Sequence, residues 1–411
     1  MSGGSVFLFY ALFLGTILVN CFSSSFTLGI LGGGQLGKML LYDTRKWDIA
    51  THTLDPDPAA PARFGTNRFT VGSLLDEATV YEFGKTCEVV TIEIENVSLA
   101  ALERLEREGV AVYPPPAALR IIQDKTVQKE FYRTYGFPTA PFVVVENRAA
   151  LEAAVSDGRI ALPFVWKAAR FGYDGKGVCI VRTPADFATL LATLEDGVPM
   201  LIEELVAMQK ELAVVVARTP TGETATYPVV EMAFHGTANL VETVGCPADI
   251  SPLVDAMATE LATELAARLG IVGLLAVEMF LTTEGKILIN EVAPRPHNSG
   301  HLTIEACRTG QFEQHLRAVL GLPLGSTELT VGGAVMLNLV GAEGYRGAVR
   351  YEGMAAALNM AGVTPHIYGK AETRPFRKMG HVTVTAENLA AAYQKAAAVA
   401  RVVVVKGAEE G

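Results

Sequence analysis

Cysteine is scarce in this sequence, and basic residues are outnumbered by acidic ones. The five cysteines among 411 residues lie far apart and form no CxxC pair: Cys21, Cys87, Cys179, Cys246 and Cys307. This pattern is typical of a reducing compartment and predicts buried free thiols. The formal net charge of −10 argues against a broadly basic face for non-specific nucleic-acid binding, so any basic site must be a local pocket.

A basic start is also missing, because no lysine or arginine precedes Lys38. The apolar run VFLFYALFLGTILVNCF, residues 6–22, therefore lacks the basic n-region of an ordinary signal peptide. Three interpretations stay open: a secretory or plastid-directed leader, a mispredicted start, and a membrane anchor, for which the run is short. We expect the fold to begin after residue 26. The compartment would be the cytoplasm if the extension has no function, and a plastid or other organelle if it is a leader.

Length and hydrophobic content predict a folded chain of two or three domains. Half of the residues are hydrophobic, which argues against disorder. From Phe26 onward, strand and helix patterns alternate, which predicts an α/β fold. The turn Gly32-x-Gly34-x-x-Gly37, with Asp55 ending the next strand, fits a dinucleotide-binding fingerprint, although the same glycines serve any tight strand-to-helix turn.

A third predicted strand, residues 88–97, carries two carboxylates. Glu93 and Glu95 are two positions apart, which places them on one face of a strand. A dinucleotide-binding oxidoreductase is one hypothesis for a chain that starts this way. No clear hydride-transfer acid or base lies beside this first domain in the sequence, which tells against it.

A glycine-rich turn between two strands predicts phosphate binding. In LPFVWKAARFGYDGKGVCIV, residues 162–181, a strand ends at Lys167, and the turn contains Gly172, Gly175, Lys176 and Gly177. Dense glycine lets backbone amides approach phosphate oxygens, and the lysines supply charge. A plain hairpin with a long loop is the alternative, but it would need neither lysine.

Acidic residues follow in the next pair of predicted strands. Glu203 and Glu204 end one strand, and Glu211 begins the second after a bend. Adenine or ribose could be held there, and a solvated acidic turn is the equal alternative.

The hairpin VGLLAVEMFLTTEGKILINEV, residues 272–292, pairs two carboxylates. With a Glu284-Gly285 loop, Glu278 faces Glu291 directly, and with a four-residue loop Glu291 lies one diagonal step away. An unpaired charge in this apolar run would cost several kcal/mol, so a cation is expected. Together with Asn290, the oxygen ligands suit Mg²⁺ carrying substrate phosphates.

The stretch INEVAPRPHNSGH, residues 289–301, is a strand that stops abruptly. Pro294 and Pro296 end the pairing and fix the path of the chain, so the polar groups between them are held stiffly. An elaborate turn is the plain interpretation. A zinc site is another, since His297 and His301 are four apart, but the proline before them and the glycine between them disfavour a regular helix.

These motifs resemble the N5-carboxyaminoimidazole ribonucleotide synthetases, ATP-grasp enzymes of purine biosynthesis, in the eukaryotic form that is the front part of phosphoribosylaminoimidazole carboxylase. The resemblance covers residues 28 to 385 and rests on GILGGGQLGKM, IQDKTVQKEF, GYDGKG, QKELAVVVAR, EMF, INEVAPRPHNSGH and RPFRKMGH, in this order. Seven ordered motifs outweigh the lone dinucleotide fingerprint, because in this family that turn shapes the substrate side and holds no dinucleotide.

The resemblance implies an α/β chain of the ATP-grasp α+β type. Its expected parts are a hydrophobic leader or extension (1–26), a Rossmann-like N-terminal domain (27–124), an ATP-grasp lid domain (125–203), an ATP-grasp central catalytic domain (204–325), and a small β-rich C-terminal domain with a tail (326–411).

The resemblance also assigns roles to residues. The ATP-binding set would be Lys125, Lys167, Gly172, Tyr173, Asp174, Gly175, Lys176, Gly177, Val178, Glu203, Glu204, Leu205, Val206, Glu211, His235, Asn290 and Glu291. Glu203 to Val206 would line the adenine pocket, and Glu211 would take the ribose hydroxyls. The substrate-binding set would be Gln35, Glu95, Tyr173, Arg295, His297, Asn298, Lys370, Arg377 and Lys378. Glu278 and Glu291 would hold Mg²⁺, and Asp174, Lys378 and Arg295 would be catalytic.

The implied reaction uses ATP, bicarbonate and aminoimidazole ribonucleotide. ATP would phosphorylate bicarbonate, and the carboxyphosphate would carboxylate the exocyclic amine while Asp174 assists proton removal. A homodimer is implied, and a carboxylase or mutase domain or partner would be needed for the next step. We expect no nucleic-acid partner.

One position departs from the family pattern. A histidine of the nucleotide pocket usually follows YPVVE by three residues, whereas YPVVEMAFH places His235 one residue further on. Another ATP-grasp ligase, such as a glycinamide ribonucleotide enzyme or a biotin carboxylase, is the alternative within the class, but RPHNSGH together with RPFRKMGH favours the synthetase. A non-catalytic scaffold is disfavoured by the intact carboxylate pair and lysines.

Overall fold

The N-terminal region is a parallel sheet with helices, as the sequence predicts. The structure is a computed structural model that describes residues 20–170, 177–194, 197–236 and 240–410. Its first elements are β1 (Thr27–Leu31), α1 (Gln35–Lys46), β2 (Ala50–Asp55), a 3₁₀ helix (Pro61–Phe64), β3 (Arg68–Val71), α2 (Glu77–Gly84), β4 (Val89–Ile92), α3 (Leu99–Arg107), β5 (Ala111–Tyr113) and α4 (Pro116–Ile122). The strand order is β3-β2-β1-β4-β5.

Two details of this region differ from the predictions. The third predicted strand is shorter than expected, because β4 ends at Ile92, so Glu93 and Glu95 follow the strand instead of sharing one of its faces. The predicted start of the fold is wrong for residues 20–26, since Cys21 and Phe26 are buried in the N-terminal core. The apolar residues 6–19 lie outside the described part of the chain.

The next region contains the two predicted strands of the phosphate motif, and the turn at residues 171–176 lies outside the described residues. Its elements are α5 (Lys125–Tyr135), β6 (Phe142–Val145), α6 (Arg148–Ser156), β7 (Phe164–Ala168), β8 (Val178–Val181), α7 (Pro184–Thr193) and β9 (Met200–Glu204). The strands form an antiparallel sheet in the order β6-β9-β7-β8. Helix α5 was predicted within this region, but its buried Tyr132 packs into the core of the central sheet with Leu212 and Val214.

The central and C-terminal regions follow. The central elements are β10 (Met208–Arg218), β11 (Thr224–Thr226), β12 (Val230–Phe234), β13 (Val241–Cys246), α8 (Pro252–Arg268), β14 (Gly273–Thr282), β15 (Ile287–Ala293), a 3₁₀ helix (Asn298–Gly300), α9 (Thr303–Ala306) and α10 (Gln311–Val319). The C-terminal elements are β16 (Gly333–Val340), β17 (Tyr345–Ala348), β18 (Arg350–Glu352), α11 (Met354–Leu358), β19 (Val363–Ile367), β20 (Glu372–Thr373), β21 (Lys378–Ala386), α12 (Leu389–Val402), β22 (Val404–Lys406) and β23 (Glu409–Glu410).

One antiparallel sheet runs through both of these regions. Its order is β15-β14-β10-β12-β13-β16-β21-β19, with β11 paired to β10. The sheet crosses the predicted boundary between residues 325 and 326 where β13 pairs with β16, for example at Val244 and Met336. The C-terminal strands therefore extend the central sheet, because β13 would otherwise expose an unpaired edge.

The cysteines are free thiols, and most of them are buried. All five cysteines are free, and every one except Cys179 is buried, which confirms the predicted free thiols.

Within the described residues, no helix has the length and apolar character that a bilayer crossing requires.

Buried neutral histidines should make the stability depend on pH. Burial lowers the pKa of His315 to about 3, and its Nδ1 accepts a hydrogen bond from Leu274 N at 3.3 Å. Because the unfolded pKa is near 6.5, this contribution is complete above that pH and is lost as the pH falls towards the folded pKa, by about 2 kcal/mol between pH 7 and 5.

The variant His315→Asn tests this, since an amide oxygen can replace the Nδ1 acceptor but does not titrate. Urea denaturation of both proteins at pH 7 and pH 5 should show a wild-type stability loss that exceeds the variant's by about 2 kcal/mol. Parallel losses in the two proteins would show that His315 does not take up a proton on unfolding.

Candidate active site

A cavity of about 540 Å³ lies where the N-terminal sheet, the β6–β9 sheet and the long antiparallel sheet meet. Most of the predicted site residues line it: Gln35, Glu95, Lys125, Lys167, Val178, Glu203, Glu204, Leu205, Val206, Glu211, Glu278, Asn290, Glu291, Arg295, His297, Asn298, Lys370 and Lys378. Gly172, Tyr173, Asp174, Gly175 and Lys176 lie outside the described residues. The fold thus brings together side chains that are more than 340 positions apart in the sequence.

The predicted carboxylate pair is present, but neither predicted loop produces it. Thr282 N donates to Lys286 O, so the loop has three residues, 283–285, and Met279 pairs with Ile289. A β-bulge then follows, and Glu278 pairs directly with Glu291. Asn290 is the extra residue of the bulge. Bulges beside active sites re-aim side chains, and here both Asn290 and Glu291 line the cavity.

Lysines surround this acidic pair. Lys125 Nζ lies 2.5 Å from Glu291 Oε2, and Lys167 Nζ donates to Asn290 Oδ1 at 2.9 Å. Lys167 also lies 2.9 Å from Glu203 Oε2, whose other oxygen is 2.8 Å from Lys129 Nζ. Lys125 and Lys167 therefore line one side of the cavity, and the buried Lys129 lies behind them on Glu203.

Lys129 is a residue that supports the site through Glu203 and that the sequence reasoning missed. Its side chain is 2% exposed, and burial lowers its pKa to about 8. The signal was available, because Lys125 and Lys129 are four apart in α5 and therefore share one helix face.

Glu203 holds two lysines in place. Its side chain is 3% exposed and its carboxylate contacts Lys129 and Lys167, while the residue also lines the cavity. The charges of Lys167 and Lys129 act against burial and lower the pKa of Glu203 overall. The adjoining Glu204, Leu205 and Val206 line the cavity, and their adenine-binding role stays a prediction.

The acidic pair needs cations. Burial and the charge of Glu291 raise the pKa of Glu278, whereas the charge of Lys125 lowers the pKa of Glu291. Burial also raises the pKa of the neighbouring Glu211 to about 7. Two facing carboxylates and an amide oxygen fit a hard divalent cation, which would relieve their repulsion.

The histidines do not form a zinc site. His297 Nε2 lies 3.3 Å from Glu278 Oε1, whereas the ring of His301 stacks on His381 at 4.6 Å. Across the described ranges, no group of three or more His, Cys, Asp or Glu side chains is placed to hold a metal. A cation at Glu278 and Glu291 would therefore take its remaining ligands from bound phosphates and water.

The other side of the cavity is basic and rich in amides. Arg295 Nε lies 2.9 Å from Glu95 Oε1. Asn298 exchanges two hydrogen bonds of 2.9 Å with Asn338. Lys370 Nζ donates to Lys378 O at 2.7 Å, which joins the two cavity-lining lysines of the C-terminal region.

Three predicted residues lie outside this cavity lining. Arg377 donates to Glu372 O at 2.7 Å on an exposed turn, and Gly177 accepts from Ala168 N at the base of the glycine turn. His235 lines a second cavity of about 290 Å³. Its ring centroid is 5.6 Å from that of Phe376.

Phe234 occupies the position that the family pattern gives to histidine. It follows YPVVE by three residues and lines the large cavity. The next residue, His235, follows the end of β12 and lines the second cavity. The predicted ATP-binding role of His235 stays a prediction.

The glycine turn cannot hold a dinucleotide in the usual way. Gly33 N donates to Asp55 Oδ2 at 2.6 Å. Gly34 N and Gly37 N donate to the two oxygens of Glu93 at 2.6 and 2.7 Å. These amides are the ones that would contact a pyrophosphate, so the chain's own carboxylates occupy them.

Comparison with known families agrees with this geometry. The ribonucleotide synthetase preATP-grasp domain model matches residues 26–123. The ATP-grasp domain model matches residues 130–312, and the phosphoribosylaminoimidazole carboxylase C-terminal domain model matches residues 334–395.

Individual relatives are also similar. A chloroplastic phosphoribosylaminoimidazole carboxylase from Vigna aconitifolia is 39% identical over 367 residues, which cover 88% of this chain and 64% of the plant protein. The crystal structure of N5-carboxyaminoimidazole ribonucleotide synthetase from Thermotoga maritima is 42% identical with a TM-score of 0.84, covering 93% of this chain and 99% of that one. N5-carboxyaminoimidazole synthase from Aspergillus clavatus, in complex with ADP and 5-aminoimidazole ribonucleotide, is 33% identical with a TM-score of 0.82, covering 91% of this chain and 97% of that one.

Glu203 should be important for stability because it pairs with two buried lysines. Glu203→Gln leaves Lys129 and Lys167 without their counter-charge and should lower the free energy of unfolding by about 3–5 kcal/mol. Urea denaturation at pH 7 measures this loss. The matched control is Glu284→Gln, which breaks the exposed pair with Lys286 and should cost less than about 1 kcal/mol. A similarly small loss in both variants would contradict the importance of the buried network.

Proposed function

The chain belongs to the N5-carboxyaminoimidazole ribonucleotide synthetase family of ATP-grasp proteins, and from this premise we propose that it carboxylates 5-aminoimidazole ribonucleotide with ATP and bicarbonate. The products would be N5-carboxyaminoimidazole ribonucleotide, ADP and phosphate, in the purine biosynthetic route to inosine monophosphate. The chain spans 64% of the length of the plant relative, so the proposal concerns this synthetase step alone.

One observation carries the proposal: a single cavity joins an acidic, lysine-rich side to a basic, amide-rich side. Glu291 lies on the first side beside Lys125, and Arg295, four residues later, lies on the second beside Glu95. The stretch between them ends a strand and is stiffened by proline. Two anionic substrates can therefore be held at a fixed separation, which phosphoryl and carboxyl transfer both require.

The acidic side suits ATP. Lys125 and Lys167 would contact its phosphates, and Glu211 would accept from the ribose hydroxyls. Glu278 and Glu291, assisted by Asn290, would hold Mg²⁺. When bound, Mg²⁺ would neutralise phosphate charge during transfer of the terminal phosphoryl group.

The basic side suits bicarbonate and the ribonucleotide. Arg295 and His297 would orient bicarbonate, and its oxygen would attack the terminal phosphorus of ATP, releasing ADP. The exocyclic amine of aminoimidazole ribonucleotide would then attack the carbonyl carbon of carboxyphosphate, with phosphate as the leaving group. Lys370 and Lys378 would hold the ribonucleotide phosphate, because lysine supplies a point charge to phosphate oxygens. The roles of Tyr173 and Asp174, including proton removal by Asp174, remain part of this proposal.

Assembly and compartment are further parts of the proposal. We propose a homodimer, and a carboxylase or mutase partner for the next step, because the plant relative carries the name of the whole carboxylase and is longer. That relative is chloroplastic, which supports a plastid-directed leader among the three interpretations of the apolar N-terminal run.

The activity can be tested directly. Incubation with ATP, ¹³C-bicarbonate and aminoimidazole ribonucleotide should release ADP and phosphate and produce a new carbamate carbon signal by NMR. Omission of any one substrate should abolish the carbamate signal. Phosphate release that needs glycinamide ribonucleotide or biotin in place of aminoimidazole ribonucleotide would assign the chain to another ATP-grasp ligase.

The metal assignment yields a second test. Glu278→Gln keeps the shape of the side chain and removes one ligand charge, so the Mg²⁺ concentration for half-maximal activity should rise about tenfold or more. Glu284→Gln, in the loop of the same hairpin, is the control and should leave this concentration unchanged. An unchanged Mg²⁺ requirement in Glu278→Gln would show that the carboxylate pair has a structural role only.

A further inference from the structure

A buried row of polar residues crosses the C-terminal half of the long sheet. Asn338 of β16 pairs with His381 of β21, and His381 pairs with His366 of β19. The rings of His381 and His366 stack at 4.4 Å with an interplanar angle of 12°. Asn338 is 6% exposed and His381 is fully buried. A polar row inside a sheet costs free energy unless each member has a partner.

One short helical segment, the 3₁₀ helix at Asn298–Gly300 together with α9, contacts each member of this row, although His381 Nε2 has no hydrogen-bond partner among the described residues. Its first member, Asn298, bonds to Asn338 through both amides at 2.9 Å. One turn later the ring of His301 stacks on His381 at 4.6 Å. Another turn later Glu305 Oε1 lies 2.7 Å from His366 Nε2. The rise of one helical turn is close to the spacing of neighbouring strands, so three side chains at one-turn intervals meet three strands.

The stack of His301 on His381, with the cross-strand pairs of His381 to Asn338 and His366, fixes the register of β21. A slip by one residue would turn every side chain of a strand to the opposite face. His381 would then leave both imidazole stacks, and its cross-strand neighbours Asn338 and His366 would face the wrong residues. The starting point of β21 is thereby fixed as well, and that starting residue is Lys378.

A second connection leads from His381 to the lysines. His381 Nδ1 lies 3.1 Å from Tyr368 Oη, and Tyr368 N donates to Met379 O at 3.0 Å. Met379 is the extra residue of a β-bulge, since Gly380 pairs with Leu339 while Lys378 pairs with Val340. The Nζ of Lys370 lies 5.6 Å from the centroid of the Tyr368 ring.

We infer that Tyr368 and His381 are positioning residues that hold Lys378 and Lys370 at the ribonucleotide end of the cavity. This inference rests on the proposed function, which places the ribonucleotide phosphate at these lysines. The mechanism is geometric: His381 anchors the Tyr368 hydroxyl, and the Tyr368 amide anchors the bulge that aims Lys378. Neither positioning residue touches a substrate, and neither appears in the cavity lining.

The cleanest test removes one hydroxyl group. Tyr368→Phe should raise the KM for aminoimidazole ribonucleotide about five- to tenfold, the scale of one lost buried hydrogen bond, with the KM for ATP changed less than twofold. His381→Phe keeps an aromatic ring for stacking but loses Nδ1, and it should produce the same selective change. Because both variants break the same bond, the double variant should be no worse than the poorer single variant.

Two reference variants complete the design. Lys378→Ala removes the positioned group itself and should raise the same KM at least as much. Tyr227→Phe is the matched control, since Tyr227 is equally buried and donates its hydroxyl to Thr309 O at 2.8 Å, away from the row. It should lower the melting temperature without a selective change in either KM.

The outcomes separate this inference from the proposed function. If Lys378→Ala raises the ribonucleotide KM and Tyr368→Phe does not, the positioning role is wrong and the proposed function stands. Equal increases in both KM values for Tyr368→Phe would also overturn the positioning role, because they indicate general damage to the fold. If Lys378→Ala leaves the ribonucleotide KM unchanged, the assignment of the phosphate site fails, and the positioning inference fails with it.

Discussion

Two carboxylates of like charge face each other across neighbouring strands, and much of the site depends on this arrangement. Glu278 and Glu291 can both be ionised in a buried place only if cations stand beside them. Lys125 supplies one charge at 2.5 Å. Lys129 and Lys167 each form an ion pair with one carboxylate oxygen of Glu203. The β6–β9 sheet and the long antiparallel sheet are thus joined by a polar contact, because Lys167 of β7 donates to Asn290 of β15.

In the N-terminal domain, two carboxylates bind backbone amides of the chain itself and not cations. Its glycine turn has the sequence and the fold of a dinucleotide-binding turn, but Glu93 and Asp55 accept the hydrogen bonds of the turn amides. A fold of this kind does not determine its ligand. The residues of this domain that line the cavity include the first residue of α1, Gln35, and Glu95. The domain therefore contributes a wall of the substrate side.

Local sequence patterns were sufficient to predict individual strands and helices, and to predict which residues pair when they lie close together in the chain. The β7–turn–β8 hairpin and the facing of Glu278 with Glu291 follow from alternation and turn residues within about twenty positions. The predicted loop lengths were wrong. The loop has three residues, and a β-bulge at Asn290 shifts the register so that Glu278 pairs with Glu291. A bulge depends on packing at both strands and leaves little signal in one sequence.

Sequence reasoning is limited where distant parts of the chain decide the outcome. No local feature shows that Lys129 and Lys167 converge on Glu203. Nor does one show that Phe234 lines the large cavity while His235 lines the second one. The boundary near residue 325 falls between the matched ATP-grasp and C-terminal domain models, but the sequence does not reveal that β13 and β16, about ninety residues apart, pair across it.

The continuous sheet changes what a domain means in this chain. Cutting the protein between α10 and β16 would remove the partner of β13 and leave Val241–Cys246 as a bare edge in the middle of a former sheet. Such an edge readily recruits strands from other molecules. The hairpin that carries Glu278 and Glu291 and the strand that begins at Lys378 belong to this one sheet, so truncation in the interval would produce aggregation-prone fragments and not a smaller folded domain.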